Sequence, residues 1–331
     1  MLLPNTNSVN RPGTTGTVLN ILTMSQVISS ARVGHLYQQT IPQLGVGLLY
    51  NPSLELYLDA CPDSCDYVEV IPDMFWTDRG GHGQERFEEI ESWMKVLDKI
   101  AAQYPLTSHN ISYSLGSAGI FDKTYLQKMK EWHQRYAFKW HSDHLSFVKV
   151  HNEEQEEHNA GLAVPVPYDY EVLDMIGGRI NAIKRVISTP FLVENNVYFI
   201  DLPDQELSET AFLNELSHDT SCGLLLDIHN VYTNAVNHHF DPKAFIAQLD
   251  LDKVIEIHIA GGNDLGGMYT DSHAGPCPPA VWELLDYTLP LVPNLCGITF
   301  EFHESYFHLL QFDGITRELN RAKAAWNLYH T

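Results

Sequence analysis

The chain of 331 residues is strongly acidic, with 42 Asp and Glu residues against 20 Lys and Arg residues and a formal net charge of −22. This charge disfavours nucleic-acid binding, because the sequence contains no basic patch to neutralise phosphates, although it suits a basic peptide partner. No apolar run is long enough to span a bilayer, there is no secretory signal pattern, and five scattered cysteines predict no disulfide framework, so we expect a cytoplasmic protein without a membrane partner.

The first segment of the chain differs in composition from the rest. Residues 1–40 are rich in Asn, Thr, Ser, Gly and Pro, which predicts a poorly ordered N-terminal extension. We expect residues 41–331 to form a single domain, because their hydrophobic content is high enough for one large core.

From residue 45 onward, short apolar runs alternate with segments of helical spacing. The predicted strands cover residues 45–49, 67–71, 106–114, 137–140, 191–193, 223–226, 254–259 and 297–301. The predicted helices cover residues 53–60, 86–104, 123–136, 170–186, 208–217, 242–249, 278–289 and 315–329. Eight strands alternating with helices at roughly 30 residues per unit are typical of a (β/α)8 TIM barrel in the α/β class. The alternative is a doubly wound open sheet, but no glycine-rich phosphate motif follows any predicted strand.

The segment from Cys222 to Asn230 shows the chemistry most clearly. A buried apolar strand runs into Asp227, His229 and Asn230. On an extended chain, Asp227 and His229 point to the same side, which at the end of a barrel strand is the side where binding groups collect. Taken alone, the segment favours a strand followed by a polar, helix-capping turn, because Asp and Asn are ordinary caps.

The same pattern recurs at the ends of other predicted strands, and this recurrence favours a metal site. Carboxylates, imidazoles and amides occur at His109, Asp143, His144, Glu194, Asn195, Asp227, His229, Asn230, Glu256, His258, Asp271, His273, Glu301 and His303. A barrel brings these positions to one face, where so many acidic and basic groups would repel or desolvate one another without a cation. Nitrogen and oxygen ligands without thiolate suit iron, manganese or zinc, and the number of candidates is enough for two or three ions.

Six motifs resemble those of a known family. They are Ser142-Asp-His-Leu-Ser-Phe147, Val164-Pro-Val-Pro-Tyr168, Val193-Glu-Asn195, Cys222-Gly-Leu-Leu-Leu-Asp-Ile-His-Asn-Val-Tyr232, Glu256-Ile-His-Ile-Ala-Gly261 and Asp271-Ser-His273. Over residues 44–325 the chain resembles the DUF692 family, the multinuclear non-haem iron-dependent oxidases with a TIM barrel. This family includes the iron subunit of methanobactin biosynthesis and enzymes that modify cysteine in ribosomally made peptides.

The resemblance implies a function and a ligand set. The function is oxidation of a cysteine in a precursor peptide by two or three Fe ions with O2 as co-substrate, with a separate partner protein that binds the peptide's leader. The implied metal ligands are His109, Asp143, Glu194 or Asn195, Asp227, Asn230, His258, Asp271, His273 and Glu301. Asp227, His229 and His258 are the residues we expect to take part in catalysis.

Three positions depart from the family pattern. The usual Ser-Glu-His-Leu is Ser-Asp-His-Leu here, with Asp143 one methylene shorter; His229 replaces an Asn; and the last strand ends in Glu301-Phe-His303 instead of Glu-Trp-Asp. These changes affect the expected number or identity of the metals. Two other functions therefore stay open: a metal-dependent hydrolase or isomerase acting on a phosphoester or sugar, and a peptide-binding module with a vestigial site.

Overall fold

Eight parallel strands close into a barrel, which confirms the predicted TIM-barrel fold. The computed structural model describes residues 41–80, 86–151, 157–200 and 202–329, so the predicted extension at residues 1–40 lies outside the described residues. The barrel strands are β1 Gly45–Leu49, β2 Tyr67–Val70, β3 Leu106–Asn110, β4 His141–His144, β5 Phe191–Glu194, β6 Gly223–Asp227, β7 Val254–Ala260 and β8 Gly297–Glu301. Each strand pairs in parallel with its sequence neighbours, and β8 closes on β1. This closure rules out the open sheet.

Helices cover the outside of the barrel. In the described part of the chain they are α1 Glu55–Ala60, α2 Glu91–Ala101, α3 Lys123–Tyr136, α4 Tyr170–Val186, α5 Glu209–Thr220, α6 Ile228–His238, α7 Pro242–Gln248, α8 Pro279–Thr288 and α9 Phe307–Tyr329. Several begin at a side-chain cap: Asp122, Asp169 and Ser208 accept hydrogen bonds from the first turns of α3, α4 and α5. None of the helices described is long and apolar enough to cross a membrane.

Within the described ranges, the segments that connect these elements contain three short hairpins and five 3-10 helices. The hairpins pair Trp76–Asp78 with Phe87–Glu89, Ser146–His151 with Glu157–Pro165, and Asn263–Leu265 with Met268–Thr270. The 3-10 helices are Pro52–Leu54, Pro72–Phe75, Leu251–Lys253, Leu289–Leu291 and Glu304–Tyr306. Two hairpins directly follow barrel strands β4 and β7, so they extend the end of the barrel where polar residues collect.

The structure corrects several predicted elements. The strand predicted over 106–114 ends at Asn110, the last helix begins at Phe307 instead of at 315, and the helix Ile228–His238 was not predicted. The helix predicted over 86–104 begins only at Glu91, because Phe87–Glu89 forms a hairpin strand instead. The strand predicted at 137–140 lies at His141–His144, while Ala137 ends α3 in a left-handed conformation (φ 51°). Strand β4 carries no apolar run because its lumen-facing positions are polar.

Side chains fill the lower part of the barrel lumen and leave only its C-terminal end open to binding groups. Two glycines, Gly47 on β1 and Gly297 on β8, leave room for the ring of Tyr67, which a Cβ at either position would overlap. The Tyr67 hydroxyl donates to Glu256 Oε1 (2.9 Å), and the Trp140 indole donates to Glu256 Oε2 (2.6 Å). This buried polar layer forms the floor beneath the C-terminal ends of the strands.

Candidate metal centre

Acidic and imidazole side chains converge above the floor, at the C-terminal ends of the barrel strands. Alternate residues of a strand point to the same face, so a residue two positions beyond a floor residue also faces the lumen. His258 lies two positions beyond Glu256 on β7, and Glu301 two positions beyond Thr299 on β8. The converging residues are Glu69, His109, His144, Glu194, His229, His258, Asp271, His273 and Glu301.

His258 is contacted from two sides by carboxylates. Its Nε2 lies 2.9 Å from Oε2 of Glu69, and its Nδ1 lies 3.2 Å from Oε1 of Glu301. All three side chains are buried. The two carboxylates come from β2 and β8, so the imidazole on β7 contacts side chains from two other strands of the barrel.

A second group forms around Glu194, at the end of β5. Its Oε2 lies 3.2 Å from Nε2 of His109 and 3.3 Å from Nε2 of His144, and the two imidazole nitrogens are 3.3 Å apart. The other ring nitrogen of His109 contacts the Ser142 hydroxyl at 2.8 Å, which fixes the orientation of the ring. One carboxylate oxygen thus shares a small space with two imidazoles.

The loop after β7 supplies the third group. Oδ1 of Asp271 lies 3.0 Å from Nδ1 of His229 and 3.0 Å from Nε2 of His273. His273 Nε2 also lies 3.6 Å from Oε2 of Glu301, which connects this group to His258. His273 has a φ of 51°, a conformation uncommon for a residue with a side chain, and the surrounding contacts hold it there.

Asp227 fits both interpretations of its segment, because it caps a helix and also lies beside the cluster. It ends β6, and its Oδ1 accepts the backbone N–H of Asn230, so it is the N-cap of α6 (2.7 Å). Its second oxygen, Oδ2, is buried without a hydrogen-bond partner among the described residues. The Asn230 amide donates to Oε1 of Glu194 (3.1 Å), which places Asp227 and Asn230 beside the second group.

Two predicted ligands are turned away from the cluster. Both polar ends of Asn195 bond to the backbone of Asp227 (2.9 Å each), so the geometry favours Glu194 of the two alternatives. Asp143 alternates with the lumen-facing His144 and accepts that residue's backbone N–H (2.7 Å). In place of the Asp143 carboxylate, the His144 imidazole approaches the other groups.

Sequence reasoning missed Glu69 as a member of the site. This residue lies within the apolar run of β2, and its position between Val68 and Val70 gave a signal: an acidic residue in a strand buried on both faces needs a partner. His303, which the pattern suggested, is exposed on the cavity wall and caps a short 3-10 helix through Nδ1.

The close contacts shift the pKa values in both directions. Burial raises the pKa of Glu194 to about 8, against the opposing effect of His144 and His258. Burial would lower the pKa of His258, but Glu301 and Glu69 outweigh it and the pKa lies well above its usual value. Burial would likewise raise the pKa of Glu301, but the two imidazoles His258 and His273 outweigh it and the pKa is lowered. The charge state of each carboxyl group in this cluster therefore depends on that of the neighbouring imidazoles, and the reverse.

The donor set fits metal ions. Buried donor atoms without a hydrogen-bond partner among the described residues include Glu69 Oε2, Glu194 Oε2, Asp227 Oδ2 and both ring nitrogens of His258. Two triads have donor atoms within 4.8 Å of one another: His109, Glu194 and His258, and Glu69, His258 and Glu301. Apart from Asp227 Oδ2, these atoms face other donors of the site at 2.9 to 3.3 Å without aligned hydrogen bonds, an arrangement that a cation between them would satisfy.

A cavity of about 430 Å³ leads from the surface to these groups. Its lining includes the polar residues His109, His144, Glu194, His273 and Glu301 and the apolar residues Met74 and Phe302. The cavity is large enough to admit a peptide side chain, and its position at the C-terminal end of the barrel is where TIM-barrel enzymes carry their active sites.

Comparisons with known proteins show which family the chain is similar to. A sequence profile of the family described as RiPP precursor modification enzyme MbnB/TglH/ChrH matches residues 43–327. A UPF0276 protein of Caulobacter vibrioides is 31% identical over 283 residues, covering 85% of this chain and 94% of its own. A UPF0276 protein of Acaryochloris marina is 37% identical over 193 residues, covering 58% of this chain and 68% of its own.

A solved structure agrees with the fold. The D-allulose 3-epimerase from Methylomonas sp., in complex with D-allulose, superposes with a TM-score of 0.52 at 12% identity and covers 87% of this chain and 98% of its own. At this identity the likeness concerns the barrel and not the chemistry.

Proposed function

The chain belongs to the MbnB/TglH/ChrH family of RiPP precursor modification enzymes, and from this we propose that it is a multinuclear iron-dependent oxidase that uses O2 to modify a cysteine of a ribosomally synthesised peptide. The observation that carries the proposal is the two adjoining triads of buried donors, which share His258. Together with the neighbouring His144, Asp227, Asp271 and His273, the two triads offer more donor groups than one ion takes, which supports more than one ion.

The geometry supports a ligand set for the proposed centre. We assign Glu69, His109, His144, Glu194, Asp227, His258, Asp271, His273 and Glu301 as the residues that hold the metal, with Asn230 donating to Glu194. Nitrogen and oxygen donors without thiolate suit iron, and they leave the sulfur position to the substrate. Bound iron would supply coordination for the substrate thiolate and a path for its electrons to O2.

The protein residues orient the ligands and exclude water. His229 is fully buried and its Nδ1 contacts Asp271, so we assign it the role of positioning that carboxylate instead of touching the substrate. Asp143 supports the backbone of the His144 segment, and Asn195 locks β5 to the end of β6. Because these supports are buried, the metal ligands keep their arrangement when a peptide enters the cavity.

The proposed partners are a Cys-containing precursor peptide and a protein that binds its leader. A peptide cysteine that enters the cavity of about 430 Å³ meets His109, His144 and Glu194 at its inner end. The chain's net charge of −22 favours a basic peptide over an acidic one.

The experiment is incubation of anaerobically purified, iron-loaded protein with a Cys-containing precursor peptide encoded near its gene. We expect O2 consumption and a change in peptide mass, and neither with a Cys→Ser peptide or without O2. If the protein holds zinc alone and leaves the peptide unchanged, the proposal is wrong, and a metal-dependent hydrolase or isomerase acting on a phosphoester or sugar becomes the better account.

A further inference from the structure

A second cavity lies on the same end of the barrel, away from the metal centre. We call it the rim pocket; it has a volume of about 140 Å³ and is lined by Pro165, Val166, Tyr168, Tyr198, Ile200, Leu202, Gln205 and Glu209. These residues belong to the segments that follow β4 and β5, so the rim pocket opens at the end of the barrel where a peptide must approach the metal centre.

Glu209 is the unusual feature of the rim pocket. Its side chain is buried, with 8% of the residue exposed, and neither carboxylate oxygen has a hydrogen-bond partner among the described residues. It also lines a neighbouring cavity of about 280 Å³ that includes Phe240 and Phe245, so it separates two spaces. An unpaired buried carboxylate is costly, and such groups in folded proteins are normally paired.

The walls of the rim pocket suit an aliphatic stem with a cationic end. Val166 and Pro165 are apolar, while Tyr168 and Tyr198 offer ring faces, which attract ammonium and guanidinium groups. No Lys or Arg is among the described residues that line it. Burial raises the pKa of Glu209 to about 8, as expected for a carboxyl group that lacks a counter-ion.

We infer that the rim pocket binds a Lys or Arg side chain of the peptide substrate, with Glu209 as the counter-ion for its charged end. The inference rests on the proposed function for the identity of the peptide, but the site is defined by residues outside the metal centre. Ile200, which is 70% exposed at the edge of the rim pocket, gives the peptide backbone an apolar surface. A basic residue held there would fix the register in which the cysteine reaches the metal.

The test measures binding of two cysteine-free probes to the iron-loaded full-length protein by saturation-transfer NMR: acetyl-Gly-Lys-Gly-amide and the same peptide with norleucine, which lacks the charge. We expect the Lys peptide to bind at least about fivefold more tightly than the norleucine peptide, because a charge-assisted hydrogen bond is lost in the latter. Glu209→Gln should remove this preference. Asp219→Asn, which removes an exposed charge from the same helix, should leave it unchanged.

A second variant keeps the inference testable if Glu209→Gln is unstable. Ile200→Lys places a tethered cation at the edge of the rim pocket and should weaken binding of the Lys peptide. Equal binding of both probes, or equal binding by wild type and Glu209→Gln, would overturn the inference. So would binding of methylammonium as tight as that of the Lys peptide, since the ligand would then be a free amine. Iron content and O2 consumption are separate readouts, so failure of the proposed oxidation leaves this result interpretable.

Discussion

Oε2 of Glu69 lies 2.9 Å from Nε2 of His258, and both side chains are fully buried. This contact joins β2 to β7 across the lumen and places a carboxylate in the centre that the sequence pattern did not indicate. Whether Glu69 binds metal directly or orients His258, its loss removes a buried negative charge from the site. We therefore expect Glu69→Gln to lower metal affinity by about tenfold or more.

Metal analysis of anaerobically purified protein measures this effect. Glu209→Gln is the matched control, since it also replaces one buried carboxyl group by an amide but lies outside the metal centre, and it should keep the wild-type metal content. Equal metal content in Glu69→Gln and wild type would show that Glu69 has no part in the centre.

Asp227 has two roles that different substitutions separate. Asp227→Asn keeps an oxygen for capping Asn230 but removes the charge, whereas Asp227→Ala removes both. We expect both variants to lose metal, and we expect the Ala variant to be less stable than the Asn variant by about 1 kcal/mol because the cap of α6 is lost. Metal analysis and urea denaturation of the metal-free proteins test the two statements separately; identical stability would contradict the capping role.

The stability of the protein should depend on pH through Glu209. The pKa of its carboxyl group is raised by burial from 4.5 to about 8 in the folded chain. Between these two values the unfolded chain has released this proton and the folded chain keeps it, so stability falls as pH rises. Glu209→Gln lacks this dependence and should be more stable than wild type by roughly 1 to 3 kcal/mol near the upper end of the window. Urea denaturation at several pH values measures the difference, which should vanish below the lower end; a constant difference would contradict the assignment.

The packing of the barrel floor predicts opposite effects at two glycines. A Cβ at Gly47 would overlap the buried ring of Tyr67, so Gly47→Ala should destabilise the fold by about 1 to 3 kcal/mol. Gly178, in the middle of α4, faces open space, and Gly178→Ala should stabilise it by up to about 1 kcal/mol. Thermal denaturation of the two variants tests the pair, and a loss of stability in both would show that the floor is not the cause.

The order of elements was predictable because their signals are local. Apolar runs such as Gly45–Leu49 and Gly297–Glu301 mark strands with correct bounds, and the spacing in Lys123–Tyr136 marks its helix. The errors arise where contacts between distant parts of the chain determine the secondary structure. Phe87–Glu89 continues a helical pattern but pairs with another strand, and β4 at His141–His144 is polar because it faces the site.

The site was predictable as a set of strand-end residues, but the role of each residue was not. Side chains alternate between the two faces of a strand, so the bounds of β4 decide whether Asp143 or His144 faces the lumen. The apolar pattern predicted this strand at 137–140, whereas it lies at His141–His144. Glu69 lies inside a strand instead of at its end, so a search of strand ends missed it. The rim pocket combines Glu209 of α5 with the Val164–Tyr168 motif and with residues that follow β5, and the sequence gives no sign that these three parts are neighbours.

The most direct test of the metal centre is anomalous diffraction at the iron edge from crystals grown without O2. We predict more than one iron peak among Glu69, His109, Glu194, His258 and Glu301, at distances suited to oxygen and nitrogen ligands. His258→Ala, which removes the shared imidazole, should lose these peaks while the barrel stays intact. Peaks elsewhere on the molecule, or an iron-loaded crystal with no peak between these side chains, would contradict the account.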